Sequence, residues 1–183
     1  MDSSHLPTYL SAPPKFSLFV AVVFLALQAT PAAPADSAGS GTYVKGGKHT
    51  VTFKDVYAFH DETTQVTLVY FSESQLDKKA MTVELRKKRD EDAIKKYFDK
   101  AYARLRIDRN GKVVEIDLVS PGYSLSRSLL RGETEVGKSD VKLNTAKRVE
   151  GRFSYDETSL GESRKIDLRF ATDLADVGPP VKK

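Results

Sequence analysis

Two histidines stand in the body of the chain, His49 and His60, and there is no cysteine or tryptophan anywhere. The missing cysteine removes thiolate nucleophiles, Cys-ligated zinc, disulfides and a lipid carried on a cysteine. A Ser-His-Asp triad would have to use His49 or His60 with a serine such as Ser72 or Ser120, and no G-x-S-x-G elbow singles one out. The densest metal-capable set is His60, Asp61 and Glu62, inside "HDETTQ". Neighbouring residues of a strand point to opposite faces, so these three converge on one ion only if a loop curls around it. The stretch reads more simply as a polar hairpin loop, with no metal and no cofactor. The 25 acidic residues supply many carboxylate pairs, but glycoside hydrolysis needs a separation of about 5–10 Å that spacing alone does not display. No catalytic residue is therefore assigned.

The aromatic residues offer a different chemistry. Tyr57, Phe59, Tyr97, Phe98 and Tyr123, with Tyr70, Phe71 and Tyr102, are the right types to line a cavity between sheet and helix and hold an apolar ligand. With no tryptophan and 9% aromatic content, the same side chains are also the natural material of the core.

The elements that must position them are mostly strands. "TYVKGGKHTVTFKDVYAFHDE" reads as a short strand, a turn at Gly46 and Gly47, and a longer strand whose alternation breaks after Lys54, where a bulge or bend is expected. "QVTLVYFS", residues 65–72, is apolar on both faces and reads as a central buried strand. "YARLRIDRNGKVVEIDLV" is a hairpin that turns at Asn110 and Gly111, with Ala103, Leu105 and Ile107 opposite Val114, Ile116 and Leu118. Further strands follow at "YSLSRSLL", "VKLN", "KRVEGRFSY" and "RKIDLRFAT". In the last of these, Ile166, Leu168 and Phe170 point inward, and residues 156–162 connect it to the strand before.

One helical insertion interrupts the strands at about residues 74–101. Ala93, Ile94, Tyr97, Phe98 and Ala101 recur at helical spacing. Leu76, Ala80 and Val83 also fit a helix, yet Met81, Val83 and Leu85 alternate as a strand would; the density of Lys and Glu favours helix. The basic run of residues 86–89 meets "DED" at once. This is the charge order of one helix ending and another beginning, with Asp90 as N-cap. The whole predicts a mainly β domain, an antiparallel β-sandwich or open barrel of about eight strands.

Ahead of this domain, residues 16–27 are apolar except for Ser17, a run of twelve that follows Lys15 and precedes "ATPAAPA". A helix that spans the bilayer needs about twenty apolar residues, so the run fits a secretory signal cleaved near Ala35 and not a permanent span. The expected organisation is a signal peptide over residues 1–35, a flexible linker over 36–41, one β-rich domain over 42–174 and a disordered tail over 175–183. The leader takes one of the 29 basic and one of the 25 acidic residues, so the net charge stays at +4. That mild, interspersed excess is an ordinary soluble surface, and no nucleic-acid partner is expected.

In this order the motifs "GTYVKGGKHTVTFKDVYAF", "YFSES", "DRNGKV", "KRVEGRFSYDE" and "KIDLRF" resemble those of small secreted bacterial β-domain proteins of uncharacterised function. The resemblance implies the fold and export, and brings no activity or site residues. The leading expectation is an exported, periplasmic or extracellular β-domain without enzymatic activity that binds a protein, an envelope component or a small ligand. A hydrolase built on acidic residues or His60, and a carrier of an apolar ligand, are the alternatives.

Overall fold

A computed structural model describes residues 37–178 except Arg89, Arg131 and Leu160. The signal-peptide reading of residues 1–35 and the end of the tail, residues 179–183, lie outside the described residues.

Among the described residues, ten strands form one open sheet that folds back on itself. One half has the order β2 (His49–Phe53), β1 (Ala38–Lys45), β10 (Glu162–Ala175), β9 (Arg148–Ser159) and β8 (Lys138–Asn144). The other half runs β3 (Asp55–Asp61), β4 (Val66–Ser72), β5 (Tyr102–Ile107), β6 (Val113–Ser120) and β7 (Tyr123–Ser128). The halves join where Leu174 and Ala175 at the end of β10 run parallel to Ala58 and Phe59 of β3; all other pairings are antiparallel. The result is sandwich-like, and it does not close into a barrel. Strands β2, β7 and β8 remain edges, with Lys48 and Lys54 flanking the first and Lys138 and Lys142 on the last, charges that discourage edge-to-edge pairing.

The break in alternation after Lys54 marks the corner between the halves: β2 ends at Phe53, β3 begins at Asp55, and the two strands belong to opposite halves. Phe53 and Val56 on either side of the corner both enter the core between the halves. That core also takes Tyr43, Phe71, Leu105, Ile116, Phe153, Ile166, Leu168 and Phe170. The expected hairpin forms, but a bulge between Arg106 and Ile107 brings Val113, not Val114, inward. The carbonyls of Val113 and Val114 then accept the amides of Val136 and Leu129.

A second layer covers the outer face of β3 and β4, which is why both strands are apolar on two sides. Helix α1 (Lys78–Lys88) and a 3₁₀ helix (Glu91–Tyr97) place Met81, Leu85 and Ile94 over Tyr57, Phe59, Leu68 and Tyr70. Asp77 opens α1 by accepting the amide of Ala80 at 2.9 Å, and three cations, Arg86, Lys87 and Lys88, fill the last turn, where the helix dipole favours them. Asp90 caps the 3₁₀ helix through the amide of Asp92 at 2.9 Å. The stripe expected from Ala93 to Ala101 does not run as one helix: three residues per turn and an extended Phe98 end it, and Ala101 packs in the core between the halves.

Two expectations at the ends are corrected. Residues 38–41 are paired strand, not linker. Their Gly and Ser content reflects close approach: a Cβ at Gly39 would strike Val56, and one at Gly41 the carbonyl of Asp167. At the other end, β10 includes Ala175, Asp176 binds Arg86 at 3.1 Å, and Val177 packs on the helical layer, so residues 175–178 are part of the domain. Likewise β9 and β10 form a tight hairpin around Gly161, so most of residues 156–162 are paired strand and not a connection.

Candidate functional site

The structure separates the five aromatic candidates. Tyr57, Phe59, Tyr97 and Phe98 belong to the helical layer, and Tyr123 lies at the far end of the sandwich against Tyr43. Within the layer, the rings of Phe59, Tyr70, Phe98 and Tyr102 form a ladder with successive centroids 6.2, 5.4 and 4.6 Å apart. Ring contacts at these distances are packing interactions of the kind a core uses. Burial raises the Tyr57 phenol, which meets the Thr82 hydroxyl at 3.0 Å.

His60, Asp61 and Glu62 sit where β3 enters the hairpin to β4. Asp61 spends its carboxylate on the turn, accepting from the amide of Thr63 at 2.9 Å and the hydroxyl of Thr64 at 2.5 Å. Against the cost of partial burial, these bonds hold its carboxyl below the usual range. The His60 ring lies 3.4 Å from the Thr67 hydroxyl, which donates to Asn144. No group of three metal-capable side chains converges among the described residues.

Carboxylates do converge at a place that single-residue reasoning passed over. Arg104 on β5 is 11% exposed and binds Glu91 of the 3₁₀ helix at 2.6 Å, together with Glu115 and Asp117 of β6. Tyr70 donates to Glu91 at 3.2 Å, and Arg106 stands 3.7 Å from Glu115. Burial is the main force raising the Glu115 carboxyl, and the neighbouring Asp117 adds to it. The signal was present in the hairpin: Arg104 and Arg106 alternate on one strand, Glu115 and Asp117 on the other, and the pairing sets Arg104 opposite Asp117 and Arg106 opposite Glu115. A pocket of about 240 Å³ opens beside the cluster, bordered by Lys95, Tyr102, Ser124 and Ser126. Each of the three carboxylates is bound to Arg104, so the group acts as a clamp between sheet and 3₁₀ helix.

An open apolar groove lies on the other flank of the helical layer. A groove of about 530 Å³ runs between α1 and the adjoining ends of β3 and β10. Its floor is Tyr57, Leu174 and Ala175, and its rim carries Lys78, Lys79 and Arg86. Val83, 48% exposed, faces it while Met81 and Leu85 are buried. Lys78 is held by Asp55 at 2.7 Å and Arg86 by Asp176, and among the described residues Lys79 has no ion pair. Among the described residues, no helix is long and apolar enough to cross a membrane. No family model, curated protein or solved structure matches the chain.

Proposed function

We propose that the protein is an exported β-domain that binds another protein of the envelope or the extracellular space and performs no catalysis. The observation that carries this reading is the α1 groove, an apolar floor with the exposed Val83 set inside a rim of cations. Exposed apolar surface bordered by polar residues is characteristic of protein-binding sites, and the rim suits a partner segment that is apolar with acidic flanks. Export rests on the leader, whose twelve-residue apolar run is followed by Ala33-Pro34-Ala35.

The test is to purify the protein from its native host beside a Val83→Asp, Lys79→Glu variant and to identify what accompanies each by mass spectrometry. A partner that is retained by the wild type and lost from the variant supports the reading. Identical sets from both overturn it. Terminal sequencing of the same material reads Asp36 first if the leader is removed where expected, and an intact Met1 overturns export by cleavage.

A hydrolase reading has one observation in its favour, the Glu115 and Asp117 pair beside the 240 Å³ pocket, where one carboxyl is raised. Such a pair could divide into acid and base. Arg104, bonded to both, opposes that use. Hydrolysis of glycoside substrates that disappears with Glu115→Gln would restore the reading.

A further inference from the structure

At the end of β1 farthest from the α1 groove, the sandwich closes on polar side chains. Tyr43 of β1 is fully buried, and its ring stacks on that of Tyr123 at the start of β7, 5.6 Å apart and within 11° of parallel. Ser120, buried at the end of β6, pairs directly with Tyr123 across the turn. Two cations cover the rings: Lys45 Nζ stands 4.3 Å above the centre of Tyr123, and the guanidinium carbon of Arg164 lies 5.6 Å from it.

Four buried atoms on these neighbouring residues, Tyr43 Oη, Tyr123 Oη, Ser120 Oγ and Arg164 Nε, have no well-formed hydrogen bond among the described residues, although the two tyrosine hydroxyls are near enough to interact, and Tyr123 adds to the effect of burial in raising the Tyr43 phenol. Buried polar groups are paired in roughly nine cases out of ten, and an unmade bond costs about 1–3 kcal/mol. One orphan is a local defect, but here, even if the two tyrosine hydroxyls share one bond, one of them, Ser120 and Arg164 Nε still have donors to place on adjoining residues, and such an excess describes a recognition surface. All four can donate, and Arg164 Nε can only donate. The partner they call for is therefore rich in acceptors, and the adjacent cations favour a negative charge on it. The carboxylates nearby do not serve: Glu162 and Glu157 engage the outer ends of Lys45 and Arg164, each at 3.4 Å. These are long, partly exposed ion pairs of the kind worth about 0–1 kcal/mol, so Lys45 and Arg164 can turn aside at little cost.

We propose that this cluster is an oxyanion site, in which a phosphate, sulfate or carboxylate group enters between Lys45 and Arg164 and accepts hydrogen bonds from Arg164 Nε and the hydroxyls of Tyr43, Tyr123 and Ser120. The site is independent of the α1 groove and does not rest on the reading of that groove.

The absence of tryptophan makes tyrosine emission a direct readout. The purified protein, in buffer free of phosphate, sulfate and carboxylates, is titrated with sodium phosphate, sodium sulfate and sodium acetate at constant ionic strength, following tyrosine fluorescence and Tm. At least one anion is expected to change the emission saturably and to raise Tm. Which of the three does so identifies the ligand group. Tyr123→Phe, which removes one oxygen and keeps the stacked ring, is expected to weaken binding about tenfold, and Arg164→Gln to abolish it. No saturable response to any of the anions up to tens of millimolar overturns the proposal. An equal response from wild type and Tyr123→Phe overturns it too, whatever Arg164→Gln does to folding.

Discussion

Gly39 in β1 lies directly against the side chain of Val56 in β3, at the crossing of the two halves of the sheet, and a Cβ at residue 39 would overlap the valine. Val56 is fully buried and cannot give way without disturbing the core. Gly39→Ala is expected to destabilise the protein by about 1–3 kcal/mol, the usual cost of overpacking. Ser40→Ala, one residue on and exposed, should change stability by less than about 0.5 kcal/mol. Urea unfolding of the two variants beside the wild type is the check; equal midpoints for all three would mean that β1 does not cross β3 there.

The helical layer yields a contrast within one turn of α1. Met81 and Leu85 are buried and Val83 is exposed, as a helix requires; a strand would have buried all three. Leu85→Ala is expected to cost about 2–5 kcal/mol as a cavity-forming change, and Val83→Ala close to nothing. Thermal melts followed by circular dichroism separate these outcomes, and a comparable loss from both would remove the helical assignment.

Asp61 ties the β3–β4 hairpin through Thr63 and Thr64, and its carboxyl sits below the usual range. A depressed folded-state value means that the ionised form stabilises the fold above the ordinary carboxylate range near pH 4, and that this contribution is lost as pH falls through the lowered value. Asp61→Ala should therefore cost about 1 kcal/mol at pH 7, with the difference from wild type shrinking on acidification. In the same experiment His60→Ala should leave stability near that of wild type. A larger loss from His60→Ala than from Asp61→Ala would return attention to the histidine.

Much of the strand order was legible because burial in a sheet has a period of two, and Ile166, Leu168 and Phe170 fall inside as that period requires. The corner at Lys54 was legible as a break. Its meaning, a passage from one half of the sheet to the other, depends on strands far away in sequence. Residues 38–41 misled for a related reason: Gly and Ser suit a flexible linker and also a strand pressed against another element, and local composition does not separate the two. The Arg104 clamp needed register, which places Arg104 beside Asp117 across thirteen residues; residue types without pairing show only charges in alternation.

That clamp provides the last expectation. Glu115 titrates above the ordinary glutamate value, chiefly because it is partly buried and next because Asp117 stands beside it. A raised folded-state value means that the native protein holds this proton more tightly than the unfolded chain does. The resulting stabilisation is present below the ordinary value, and it is lost as pH rises through the raised one. Glu115→Gln, which keeps the shape without the titration, should gain on wild type as pH rises from about 4 to 7, and Asp117→Asn, by removing the neighbouring charge, should flatten that dependence. Arg104→Met acts in the opposite sense. It leaves Glu91, Glu115 and Asp117 without their shared cation and should cost about 3 kcal/mol at pH 7, with a smaller loss near pH 4 as the carboxylates take up protons. Urea midpoints of the four proteins across this pH range decide the matter: a pH-independent gap between Glu115→Gln and wild type would show that the cluster does not perturb Glu115, and a negligible effect of Arg104→Met would show that β5 and the 3₁₀ helix are held together by the aromatic ladder alone.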